Sequence, residues 1–342
     1  MKRDKKLDCI KGLACILMIF AHGHGYGKTI DNWLTLLIYQ LGLFAPVLFL
    51  SSVGVSLTYQ IKKRHKIPII AGYILLFIMS FANMGLRNKE YFILTDWNLY
   101  ASISLSAILT LFIIDYVNLF TAFIPIILLF FLNKTNIPVS LFYGGLFSII
   151  PWTSFTLIGL YLNSHKYFIK VFLALSFIST LLFLTSNKHG MIEYNKPIYF
   201  ALGIFIYSFS LNISSMILKL KYISRVFRYL GQNSLLFYVI HRLIVIYLPF
   251  KLFAPVLWLF LFITTIMFMI MFTEINSRYI EKYSAAYFFW VLLIIAVLIP
   301  SLLSMNINLQ RALMFGVLVL HALNYHNFIN LGIFNKNYNN KK

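Results

Sequence analysis

Two histidines stand inside stretches that are otherwise almost wholly apolar, and both are placed to move protons. The first closes Leu7 to His22, LDCIKGLACILMIFAH, whose only charged residues are Asp8 and Lys11. Read as a helix, Lys11 and His22 are separated by three turns plus about 20°, so they share a face, and Asp8 lies about 40° off it. The axial separation is roughly 16 Å. A Lys11 at a membrane surface therefore puts His22 near the middle of a hydrocarbon layer ~30 Å thick. An ionisable side chain at that depth is a functional candidate by default, and a neutral imidazole is the form a general base needs. His24 follows in AHGHGYGK, where three glycines read as a helix end beside a water-filled vestibule. Two histidines at i, i+2 do not share a helix face and have no acidic neighbour, so no metal is expected.

The second histidine is His241, in GQNSLLFYVIHRLIVI. Ser234, Tyr238 and His241 follow i, i+4, i+7, which is one polar stripe on an apolar helix, with Arg242 beside it. A single helix–helix hydrogen bond would explain one such residue but not the stripe. Weaker candidates for a substrate pocket are Ser52 in FAPVLFLSSVGVSLTY, Ser106 in a serine-bearing stretch entered by Asp96 and Trp97, and Trp152 in PWTS. Close helix packing explains the first two equally well, and an interfacial aromatic belt explains the third. His321 and His326 read as interfacial.

These residues need helices to position them. The chain has 342 residues, 61% hydrophobic and 11% charged, against about a quarter charged in soluble domains. The fold expected is all-α: a polytopic membrane protein of about eleven or twelve spans. The expected spans are 8–27, 34–60, 67–86, 99–117, 119–133, 142–163, 168–186, 197–217, 233–250, 254–274 and 285–304. A short 310–324 would follow, interfacial or re-entrant. One domain is expected over 1–342. The net charge of +20 is scattered at the ends of apolar runs and forms no stripe of the kind that binds nucleic acid. The clusters at 2–6, 62–66 and 219–228 instead place the N-terminus in the cytoplasm of a multi-pass cell-membrane protein, against anionic lipid. LKLKYISRVFRYLG, residues 218–231, reads as a basic amphipathic helix on the inner surface. The basic start is read as an uncleaved first span, since no A-x-A-like site follows. Cys9 and Cys15 make no disulfide framework or metal spacing.

LDCIKGLACILMIFAH resembles the opening signature of membrane-bound acyltransferases of the acyltransferase-3 type and of relatives of heparan-α-glucosaminide N-acetyltransferase. That signature reads roughly L-D-x-x-R-G-x-A, an apolar run and a histidine; Asp8, Gly12, Ala14 and His22 match, and Lys11 replaces the arginine. FAPVLFLSSVGVSLTY, the ISLS run at 103–106, the PW at 151–152 and LGQNSLLFYVIH at 230–241 resemble later landmarks. The resemblance spans residues 7–242. It implies transfer of an acyl group, usually acetyl, from cytoplasmic acyl-CoA to a hydroxyl or amine of a cell-surface glycan or envelope molecule. It makes His22 or His24 the central base and Lys11 the partner of CoA phosphate. A lysine there is a point charge without arginine's bidentate fork. Asp8 and Arg64 stand beside Lys11 as expected cofactor-side residues, and a homo-oligomer is compatible. The rival reading is a transporter or flippase for a lipid-linked saccharide with a histidine proton relay, which paired inverted repeats would favour.

Overall fold

A computed structural model describes residues 4–26, 33–88, 98–135, 147–165, most of 167–178, 197–247, 254–303 and 305–331, and these contain helices and no strand. In chain order the main α-helices are α1 (Lys5–Tyr26), α2 (Trp33–Gly42), α3 (Ala45–Ile61), α4 (Lys66–Gly85), α5 (Leu99–Ile113), α6 (Leu119–Thr135) and α7 (Ile149–Ser164). They continue as α8 (Pro197–Ile217), α9 (Lys221–Gln232), α10 (Ser234–Tyr247), α11 (Ala254–Ile275), α12 (Tyr287–Leu302) and α13 (Ile307–Ile329). Six helical stretches among the described residues are long and apolar enough to cross a membrane: 33–61, 66–85, 99–116, 199–217, 255–283 and 307–329. α1, 22 residues long, is not in that set. Asp96, Trp97 and most of the expected 168–186 span lie outside the described residues.

The expected 34–60 span is found as 33–61, broken inside into two helices joined at Leu43–Phe44. Pro46 in the first turn of α3 has no N–H to give and disfavours helix in the residue before it, so the chain turns there. The closing segment expected at 310–324 is the 23-residue α13, long enough to cross a ~30 Å layer.

Helix ends are tied together at two levels. At one end Asp4 Oδ1 caps α1 by accepting from the Lys6 and Leu7 amides, and its Oδ2 accepts from Tyr59 Oη at 2.9 Å. At that end Asn163 Nδ2 donates to Thr58 Oγ1 (2.9 Å), Lys66 pairs with Asp115 (3.0 Å) and Arg64 Nη2 donates to Asn330 Oδ1 (2.9 Å). At the other end Gln310 Nε2 donates to the carbonyls of Gly85 and Asn88 at 3.0 and 2.9 Å. The described parts of the basic clusters 2–6 and 62–66 thus sit at one end of the bundle, as the charge pattern predicts.

Candidate active site

α1 and α10 carry the two sequence motifs and lie side by side. The rings of His22 and His241 are 5.2 Å apart between centroids. His241 is fully buried; its Nδ1 lies 3.0 Å from the Phe237 carbonyl one turn back, which fixes the ring, and its Nε2 has no hydrogen-bond partner among the described residues. A buried ring nitrogen with an unused valence is unusual, because an unsatisfied polar group in a dry interior costs roughly 1–3 kcal/mol. The Tyr238 ring stands edge-on to His241 with centroids 5.7 Å apart.

Tyr238 also lines a half-open cavity of about 200 Å3, together with Lys11, Ser56, Tyr73, Tyr100, Ser234 and Tyr325 among apolar neighbours that include Phe49, Val53 and Leu235. Lys11 Nζ reaches Ser56 Oγ at 3.3 Å, so the cation is held at the cavity edge by α3. Tyr238 Oη accepts from Arg242 Nη1 at 2.6 Å and from Asn83 Nδ2 at 3.4 Å. With both lone pairs engaged, its own proton is left to donate elsewhere. Tyr100, 5.1 Å from Tyr238 between ring centroids, has a buried hydroxyl without a partner among the described residues. The cavity thus offers one cation, four tyrosines and an apolar wall, with the His22–His241 pair beside Tyr238. Such a set can hold an anionic group, donate to a developing oxyanion and accept a proton.

The structure sets Lys11, Ser234 and Tyr238 on the cavity wall, and His22 and His241 side by side next to Tyr238 without lining the cavity themselves. The side chain of His24 lies outside the described residues. The other predicted residues fall elsewhere, each for a visible reason. Asp8 is buried against α9, where Gln232 Nε2 donates to its Oδ2 at 3.2 Å. Arg64 ties the α3–α4 turn to the end of α13. Ser52 is fully buried on α3 one turn before Ser56, whose hydroxyl donates to its carbonyl at 2.8 Å, and it does not line the cavity. The α3–α7 seam runs past it, where a Cβ on Gly54 would stand 1.9 Å from the Thr156 carbonyl and one on Gly159 would stand 2.1 Å from that of Ser51. Ser106 faces the same helix from α5, its hydroxyl 3.0 Å from that of Thr153. Trp152 is wholly buried between Phe155 and Tyr199 and serves as core rather than as an interfacial anchor. His321 is also buried, between Trp290 and Tyr325, where an interfacial position was expected; His326 is exposed, 3.9 Å from Glu281.

Tyr100, Asn83 and Tyr325 were missed. Tyrosine and asparagine in apolar helices are common as packing and belt residues. Only the i, i+4 spacing of Tyr238 and Arg242 signals part of the network in the sequence.

Comparison of the chain with models of known protein families, with curated proteins and with solved structures gave no match. Fold and site define a class: a chain whose described residues are helical, with several helices apolar and long enough to cross a bilayer, and a half-open cavity bordered by a lysine between them.

Proposed function

We propose that this protein is a multi-pass membrane acyltransferase. It moves an acyl group of the acetyl class from acyl-CoA to a hydroxyl or amine of a cell-surface glycan or envelope molecule. The observation that supports the reading is the alignment of Lys11, Tyr238 and the His22–His241 pair along the α1–α10 face, with an unused ring nitrogen on His241. The order of residues along α1 supports it as well. Lys11 is near the helix end where the basic residues gather, and His22 is roughly 16 Å further along.

In this reading the acceptor oxygen or nitrogen attacks the thioester carbonyl carbon and gives its proton to an imidazole of the His22–His241 pair. Tyr238, polarised by Arg242, and Tyr100 donate to the carbonyl oxygen as it gains charge. The C–S bond then breaks, and the CoA thiolate leaves and is protonated. Lys11 holds a CoA phosphate as a point charge, with Ser56 steadying it. His24, two residues from His22, shares the candidacy for the base. The N-terminus is cytoplasmic, twelve spans cross the bilayer, and α13 is the last of them.

The test is turnover by the full chain in nanodiscs, following release of CoA thiol from acetyl-CoA with envelope glycans supplied as acceptors. Wild type should release thiol only when acceptor is present, and His22→Ala or His241→Ala should abolish the acceptor-dependent part. Thiol release unchanged in every histidine variant would overturn the reading. Glycan movement across the bilayer without acylation would move it to transport.

A further inference from the structure

The helix with the sharpest division of its surface is α9, and it is not part of the cavity. At ~100° per residue, Tyr229, Tyr222, Val226 and Ile223 occupy an arc of about 120°, with Arg225 and Lys221 along its edge. Tyr222 (75%), Ile223 (47%) and Val226 (44%) are exposed, as are Lys221, Arg225 and, in the turn before, Lys219 and Leu220. The opposite side is closed against the protein through Ser224 and Gly231, and Leu230, in the last turn, is buried too. An exposed surface split lengthwise into an apolar strip and a basic strip fits a helix lying at the boundary between acyl chains and anionic headgroups. α9 also leads from the end of the apolar α8 directly into α10, which puts it at the level of a membrane surface.

The grip on the protein side is unusually tight. A Cβ on Gly12 would stand 2.0 Å from the Phe227 carbonyl oxygen, and one on Gly231 would stand 1.8 Å from that of Asp8. Gln232 donates to Asp8, and Cys15 Sγ lies 3.8 Å from the Leu230 carbonyl. Backbone rests on backbone with no compliant side-chain layer between, so a displacement of α9 displaces α1. Only Asn233 separates α9 from Ser234, which begins α10.

We propose that α9 is a docking element for an anionic lipid surface, and that its seating sets the spacing of α1 and α10 around the cavity. Lys219, Lys221 and Arg225 meet the anionic headgroups; Tyr222, Ile223 and Val226 enter the acyl boundary. The proposal is independent of the chemistry assigned to the cavity.

Backbone hydrogen exchange tests it on the full chain in nanodiscs of phosphatidylcholine alone or mixed with phosphatidylglycerol. Anionic lipid should slow exchange over 219–230 by about fivefold for each basic residue engaged, with smaller slowing over the α1 stretch 7–14 and over 234–238. The triple variant Lys219→Glu, Lys221→Glu, Arg225→Glu should lose this gain while melting with wild type in phosphatidylcholine. Lys62→Glu with Lys63→Glu, on a different loop, should keep it. Equal exchange in the two lipids, or full protection surviving in the triple variant, would overturn the docking. Slowing confined to 219–230 would overturn the coupling to the cavity.

Discussion

The α1–α10 face and the α3–α7 seam contain the same kinds of residue and use them in opposite ways. Both place serines and glycines in apolar helices, and both contain buried polar groups without hydrogen-bond partners. Along α3–α7 the glycines let two backbones close to contact at Ser51 and Thr156, both fully buried. Along α1–α10 polar groups line a cavity of about 200 Å3 or form a tilted histidine pair next to Tyr238. In the proposed reading, a polar residue in an apolar helix is packing material where helices touch and a working group where they are held apart. The cation marks the difference too: Lys11 borders the cavity, and no charged residue lies on the described seam between α3 and α7.

The comparison is broken or sharpened by substitutions on each side. The largest effect is expected at the histidine pair. His22→Ala or His241→Ala should lower acyl transfer ~10²–10⁴-fold, the range for loss of a general acid–base group, with little change in thermal unfolding. Lys11→Ala should weaken acyl-CoA binding by roughly 10–100-fold, matching the ~1.5–3 kcal/mol of a hydrogen bond to a charged group, and Lys11→Arg should preserve or improve it. On the seam, Gly159→Val should act on stability instead. Forcing α3 and α7 apart should cost about 1–3 kcal/mol or more, read as earlier unfolding in detergent, while any protein that remains folded keeps its acyl-CoA affinity. Smallest of all, Ser106→Ala should cost about 0.6 kcal/mol, the mean for a hydrogen bond between membrane helices, and leave turnover within twofold. A Ser106→Ala loss as large as that of His22→Ala would erase the distinction between the two regions.

What the sequence reveals divides along the same line. The all-α class and the gathering of basic residues at one end follow from hydropathy and charge. The histidine pair is legible because charge-capable residues within long apolar runs are rare, and the 11-residue spacing from Lys11 to His22 survives in a continuous helix. The hydrogen bond from Gln232 to Asp8 was invisible because the two residues are 224 apart in the chain and nothing local announces it. Trp152 was ambiguous because an aromatic ring at a span end suits a lipid interface and a core equally; only its burial by Phe155 and Tyr199 decides. The break at Leu43–Phe44 was readable from Pro46, although the unbroken hydropathy around it hid the turn. Tyr100 was invisible because its role depends on an empty space beside it, and no sequence pattern encodes a cavity.

The most direct measurement of the central claim is equilibrium binding of radiolabelled acetyl-CoA to the purified chain in nanodiscs, wild type beside Lys11→Ala and His241→Ala. The account predicts saturable binding by wild type, weaker binding by Lys11→Ala, and near-normal binding by His241→Ala, whose loss is in transfer alone. No saturable binding by wild type, or equal binding by wild type and Lys11→Ala, would contradict it.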